Sequence, residues 1–171
     1  MLSANLHGGA LVANYPYDDN PMTVGNIRPH PNPSPDDDVF RWLAQTYSNA
    51  HPTMHLGNPC PPPPNAKNRE FLDDKFPGGI TNGAAWYPVT GGMQDYNYVQ
   101  SNAFELTLEV SCYKYPPAED LVKYWRDNRE PLLKFIEAVS FEYVFIIFKK
   151  EKNFKSIFRS LNKTNFKIIV F

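Results

Sequence analysis

Four histidines limit the metal chemistry open to this 171-residue chain, because a catalytic zinc ordinarily takes three protein ligands and keeps one position open. His51 and His55, in His-Pro-Thr-Met-His, have the i, i+4 spacing of two ligands on one helix face. But Pro52 sits between them, the chain is leaving a helix there, and no Glu follows His51. Two surface histidines are expected. His30 lies between two prolines in a loop and is expected to face solvent. His7 differs, because it ends an alternating stretch and is followed by Gly8-Gly9, which removes side chains that would crowd a ligand or metal. Strand ends beside loops are where α/β sheets place their sites, although such a histidine also serves structurally. Glu109 falls within an otherwise apolar strand, on the face opposite Leu108 and Val110 and beside Thr107 and Ser111, with Glu105 further back. In a central strand that carboxylate is costly unless paired or functional; in an edge strand its face is simply wet. The sequence leaves both open.

The elements that position these groups are partly legible. Residues 2–6 alternate apolar and polar and predict a short strand ending at His7. Ser34-Pro35-Asp36-Asp37-Asp38 is a helix start, with Ser34 able to cap and the acids at the positive end of the dipole. Val39, Leu43 and Tyr47, with Phe40 alongside, extend that helix over about 35–49. Residues 19–34 and 77–102 read as loop, and Pro59 to Pro64, broken only by Cys60, as an exposed extended connector. A strand is expected at 104–111. A second helix is expected at 118–139, bent or restarted at Pro131.

Charge and composition exclude several classes. Lys plus Arg is 17 against 18 Asp plus Glu, net −1, so there is no electrostatic case for a nucleic-acid partner. Hydrophobic content of 42%, with 15% aromatic residues, argues against disorder. There is no apolar run of about 18 residues to span a membrane, and residues 1–20 do not read as a signal peptide. Two cysteines exclude a disulfide-dense scaffold and a four-cysteine zinc site. All nine glycines lie between Gly8 and Gly92 and all seventeen prolines at or before Pro131, whereas residues 140–171 hold seven of the twelve Phe and a net charge of +5. That tail reads either as a basic aromatic segment lying on a membrane or as a read-through of non-coding sequence. The second is the expectation, so membrane contact through the tail is not.

The chain resembles the zinc metallocarboxypeptidases, specifically the subfamily of carboxypeptidases D, E, M and N. The stretches that carry the resemblance are residues 2–9 (Leu-Ser-Ala-Asn-Leu-His-Gly-Gly), 12–18 (Val-Ala-Asn-Tyr-Pro-Tyr-Asp) and 34–37 (Ser-Pro-Asp-Asp). Further along they are 79–87 (Gly-Ile-Thr-Asn-Gly-Ala-Ala-Trp-Tyr), 91–98 (Gly-Gly-Met-Gln-Asp-Tyr-Asn-Tyr), 104–109 (Phe-Glu-Leu-Thr-Leu-Glu) and 114–117 (Lys-Tyr-Pro-Pro). The resemblance implies an α/β fold, a mixed sheet flanked by helices, of which residues 1–139 would be the C-terminal half of the catalytic domain and 140–171 an aberrant tail. It implies a zinc cofactor with His7 as one ligand, and Glu109 as the general base that activates the zinc-bound water. It makes Tyr87 the mobile tyrosine that closes over substrate, and it puts Asp18 and Gln94 in the pocket for the C-terminal side chain. An acid there favours peptides or proteins ending in Lys or Arg. Read without the family, Asp18 is a turn residue and Tyr87 part of a core. Cys60 and Cys112 match a disulfide of the relatives, which implies a secretory or extracellular setting.

The family's His-x-x-Glu pair is missing, because Ala10, Pro33, Met54 and Asn58 stand three residues after the four histidines. Its Asn-Arg pair that clamps the substrate carboxylate is missing too. The expectation is therefore a chain cut at both ends, with one zinc ligand of three and no hydrolytic activity alone. The alternative is a peptide-binding variant that works without zinc.

Overall fold

The computed structural model describes residues 1–20, 29–62 and 74–150, with side chains described up to residue 138. The chain divides into two units, Met1–Ala138 and Val139–Phe171. Residues 151–171, including the Asn162-Lys-Thr sequon and most of the Phe-rich tail, lie outside the described residues.

Four strands make one mixed sheet in the order β1-β4-β2-β3. They are β1 (Leu2–His7), β2 (Ala10–Tyr15), β3 (Ile80–Asn82) and β4 (Phe104–Ser111). β4 runs parallel to β1 and antiparallel to β2, and β2 runs parallel to β3. β1 and β2, consecutive in sequence, therefore flank β4 on opposite sides. The chain must cross the end of β4 within two residues. Gly9 makes that crossing at φ 125°, with its N–H on the Ser111 carbonyl at 2.8 Å, a backbone conformation open to glycine alone. The Gly8-Gly9 pair thus has a topological reason as well as leaving space beside His7.

Alternation along β4 divides the sheet into two faces. Leu106 and Leu108, both fully buried, join Ala13, Tyr15 and Ile80 in a core completed by helix α1 (Asp37–Ala50). α1 buries Phe40, Leu43, Ala44, Tyr47 and Ser48, the i, i+3, i+4 rows of one helix face. The helix starts two residues later than the sequence suggests and its N-cap is Asp36, without a side-chain cap bond. The Ser34 carbonyl receives the Asp37 N–H instead. Helix α4 (Leu121–Lys150) lays Asn128, Pro131, Phe135 and Ala138 on the same core. Of the two outcomes expected at Pro131, a bend or a restart, the restart does not occur. The ring is fully buried, and that packing holds a helix that lacks one backbone hydrogen bond. Tyr47 Oη donates to Asn128 Oδ1 at 2.6 Å and ties α1 to α4.

Several elements, β2 and β3 among them, appear where none was expected. β2 reads Ala-Leu-Val-Ala-Asn-Tyr and is buried at five of six positions, so it shows no alternation. Short helix α2 (Gly83–Trp86) and helix α3 (Met93–Ser101) fill the stretch read as loop. The residue α3 buries is Gln94, and its one ring on the core is Tyr98, 5.0 Å from Phe40, so polar contacts carry much of what an apolar stripe usually does. Asn97 Nδ2 donates to Glu105 Oε2 at 2.5 Å, and Gln94 Oε1 accepts the Thr107 N–H at 2.7 Å.

Candidate functional site

The face of β4 turned away from the core carries Glu105, Thr107 and Glu109. Glu109 lies in register with His7 of β1 on one side and Val12 of β2 on the other. The strand is central and Glu109 is 3% exposed, so the wetted-edge alternative does not apply. His7 Nδ1 and Glu109 Oε1 are 2.7 Å apart, with the imidazole partly open to solvent. Burial pushes the Glu109 carboxyl above the usual carboxylate range, opposed by His7, Lys114 and the Ala10 N–H. Glu109 Oε2 is buried without a hydrogen-bond partner.

Both residues line a cavity of about 170 Å³, together with Asp18, Tyr87, Gln94 and Asn14. The residues singled out in the sequence at positions 7, 18, 87, 94 and 109 thus surround one space. The backbone brings the loop after β2 against α2: Tyr17 O accepts the Ala84 N–H at 2.9 Å and Asp18 O the Val89 N–H at 3.0 Å. Asp18 is 7% exposed, and its Oδ1 accepts from Asn14 Nδ2 at 2.9 Å. Burial raises its carboxyl to about 6; the Asn14 bond opposes that and the nearby Asp95 charge adds to it. Gly83 is required here, because a Cβ at that position would sit 1.6 Å from Asp18 Oδ1. Tyr87 is 46% exposed, with its ring 4.8 Å from that of Trp86. Burial, then Glu109 and Asp18, raise its phenol.

Two cavity residues present unused hydrogen-bonding atoms besides Glu109: Gln94 Nε2 and Asn14 Oδ1 are buried without partners. Asn14 escaped the sequence reading. Its signal was an Asn inside an apolar run, four residues before Asp18. Among the described residues lining this cavity there is no Lys or Arg, and His7 is paired with Glu109.

The remaining candidates lie elsewhere. His51 is 3% exposed and not at the surface, a correction to the sequence expectation. Its Nδ1 accepts the Thr53 and Met54 N–H groups at 3.2 and 3.0 Å, capping the 3₁₀ turn Met54–Leu56. His55 is exposed, as is His30, which lies 2.6 Å from Asn20 Nδ2. Cys60 and Cys112 form a disulfide, Cα–Cα 5.4 Å, that joins the proline connector to the end of β4.

A zinc ion does not fit the described residues as they stand. They contain no group of three His, Cys, Asp or Glu side chains able to hold a metal, and the His7 nitrogen nearest the site is bonded to Glu109. One imidazole is short of the three ligands that a catalytic zinc requires.

On an α/β scaffold, a buried acid and a His–Glu pair thus face one cavity over the side of the mixed sheet turned away from the core. The chain belongs to the zinc carboxypeptidase family, whose sequence pattern matches residues 1–131. It is 54% identical over 149 residues to carboxypeptidase D of Drosophila melanogaster, covering 81% of this chain and 10% of that protein. It is 48% identical to carboxypeptidase M of Mus musculus and 50% identical to the carboxypeptidase N catalytic chain of Homo sapiens. Each match covers 81% of this chain, against 29% and 28% of those proteins. The chain therefore spans between about a tenth and under a third of the relatives it matches. No helix among the described residues is long and apolar enough to cross a membrane.

Proposed function

We propose that this chain recognises the C-terminal residue of peptides or proteins ending in Lys or Arg, the substrate side of carboxypeptidase chemistry. The observation that carries this reading is the buried Asp18 carboxylate, facing a cavity whose described lining holds no Lys or Arg. A guanidinium or ammonium entering there forms a charge-assisted bond and relieves a buried negative charge. Asn14 Oδ1 supplies a second acceptor and Gln94 Nε2 a donor. Tyr87, half exposed beside the cavity, is the group assigned to close over the ligand.

Glu109 is assigned as the general base, taking a proton from water and passing it to the leaving amine. Its unpartnered Oε2 and raised pKa suit a carboxylate that must accept and release a proton. The family's zinc needs ligands beyond His7, so this chain alone binds such peptides without hydrolysing them. The disulfide supports an oxidising, secretory or extracellular setting.

Calorimetric titration with a C-terminal Arg peptide, with and without zinc, tests the assignment. Saturable binding in a chelator, without release of free Arg, is the expected result. Chelator-sensitive release of Arg refutes the inactive reading, and absence of binding refutes the pocket.

A further inference from the structure

Asp95 follows Gln94 in the first turn of α3, yet it does not line the Asp18 cavity. Its carboxylate turns to the backbone of the loop after β2. Asp18 N–H donates to Oδ1 at 2.9 Å and to Oδ2 at 3.0 Å, and Asp19 N–H donates to Oδ2 at 3.0 Å. Such charge-assisted bonds are among the stronger ones a side chain makes. Asp18 is thus fixed three ways: its backbone by Asp95, its side chain by Asn14, and its space by the missing Cβ at Gly83.

The same arrangement stacks negative charge. Asp95 acts on Asp18 from α3, Asp19 acts on Asp95 from the loop, and the Tyr87 phenol faces Asp18 from beyond α2. β2 contributes only the neutral Asn14, β1 and β4 bring the His7–Glu109 pair to the same cavity, and no Lys or Arg among the described residues lines it.

The geometry points to Asp95 as a positioning residue that sets the pocket's specificity. Without touching the bound side chain, it aims the Asp18 carboxylate and adds its own negative charge behind it, so that a basic C-terminal residue is taken and a neutral one refused. This rests on Asp18 being the partner of the basic side chain. A cation that enters meets the Asp18 carboxylate and acts on Asp95 only through its field, favouring the ionised form of each, so binding releases protons around the Asp18 value of about 6.

The test is calorimetry on the full chain between about pH 5 and about pH 8, in two buffers of different ionisation enthalpy, a range that brackets the Asp18 transition. The probes are two dipeptides, one ending in Arg and one in citrulline, which keeps the shape without the charge. Wild type is expected to prefer Arg by about tenfold or more at neutral pH, to release protons on binding Arg near the Asp18 transition, and to lose the preference in acid as Asp18 is protonated. In Asp95→Asn the amide oxygen keeps the Asp18 N–H, but its NH₂ opposes the Asp19 N–H. We expect the Arg preference to fall by about tenfold, the pH midpoint to move down, and citrulline affinity to change less than about twofold. Equal weakening of both peptides with an unmoved midpoint is what a merely structural role gives, and it overturns the proposal. So does an unchanged Arg preference. A wild type that does not distinguish the two peptides refutes the reading of Asp18, and the role of Asp95 with it. If Asp95→Asn does not fold, carboxyl carbon NMR of wild type decides: the Arg peptide must lower the titration midpoints of both Asp18 and Asp95, and an unmoved Asp95 overturns the proposal.

Discussion

Replacing Asp18 by Asn should make the fold more stable at neutral pH, and the structure sets the size of the gain. The Asp18 carboxyl lies at about 6 in the fold against an ordinary 3.8, chiefly through burial. A folded-state value above the unfolded one means the native state holds the proton more tightly. The stability from that proton is complete below the unfolded value and lost as pH rises through about 6. A difference of about two in pKa, at about 1.4 kcal/mol each, corresponds to about 3 kcal/mol of destabilisation carried by wild type above that window. Asn cannot ionise, fills the same space beside Gly83, and keeps an oxygen for Asn14 Nδ2. The measurement is the urea midpoint of wild type and Asp18→Asn at intervals from about pH 3.5 to about pH 7.5, taken as a difference so that other titrating groups cancel. The two curves should coincide in acid and separate through the window, with the variant up to about 3 kcal/mol more stable at the alkaline end. Parallel curves, or a variant that is less stable at neutral pH, would refute the claim that the pocket holds this carboxylate under strain from burial.

Other perturbations have equally definite outcomes. Gly83→Ala places a Cβ 1.6 Å from Asp18 Oδ1, so Asp18 must leave its seat; Arg-peptide affinity should fall at least about tenfold, the scale of one lost charge-assisted bond, and wild-type affinity contradicts the pocket geometry. Cys60→Ser with Cys112→Ser opens a crosslink of sequence separation 52, for which loop entropy gives about 4 kcal/mol of destabilisation; a loss in urea unfolding below about 1 kcal/mol contradicts that account. Tyr47→Phe strands Asn128 Oδ1, at about 1–3 kcal/mol by the same assay, and an unaltered midpoint would show that water replaces the hydroxyl. Leu108→Ala empties a fully buried site between sheet and helices, at about 2–5 kcal/mol; a smaller loss means that the core closes around the gap.

What the sequence showed follows from which forces leave a pattern. β4 and α1 present apolar residues at regular spacing to one core, β1 alternates although it is mostly exposed, and each was legible to within two residues. β2 was hidden because a strand buried on both faces loses its alternation. α3 was hidden because it is fastened by Gln94 and Asn97 to the backbone and acid of β4, contacts with no periodic signature. α4 runs through Pro131 because burial of the ring decides against the local rule. His51 was misplaced for a related reason, since its buried ring caps a turn through Nδ1, which spacing alone does not show. The site residues were found by resemblance to a family. From residue types alone, Asp18 was a turn residue and Glu109 an even choice between a wet edge and a buried function.

The two ends of the cavity differ in how complete they are, and the difference is chemical. At one end, Asp18 has its backbone clamped, its carboxylate bonded and its space reserved by residues of this chain. Nothing but a basic side chain is needed to satisfy it. At the other end, Glu109 is desolvated and answered by a single imidazole, with one oxygen left without a partner. A carboxylate in that state can shuttle a proton, but it does not polarise a peptide carbonyl, which takes a cation held by several donors. On the proposed reading, recognition of a C-terminal residue and scission of the bond before it are separate tasks. The first depends on the loop after β2, on α2 and on α3. The second needs a metal-binding group of three side chains, and among the described residues there is none.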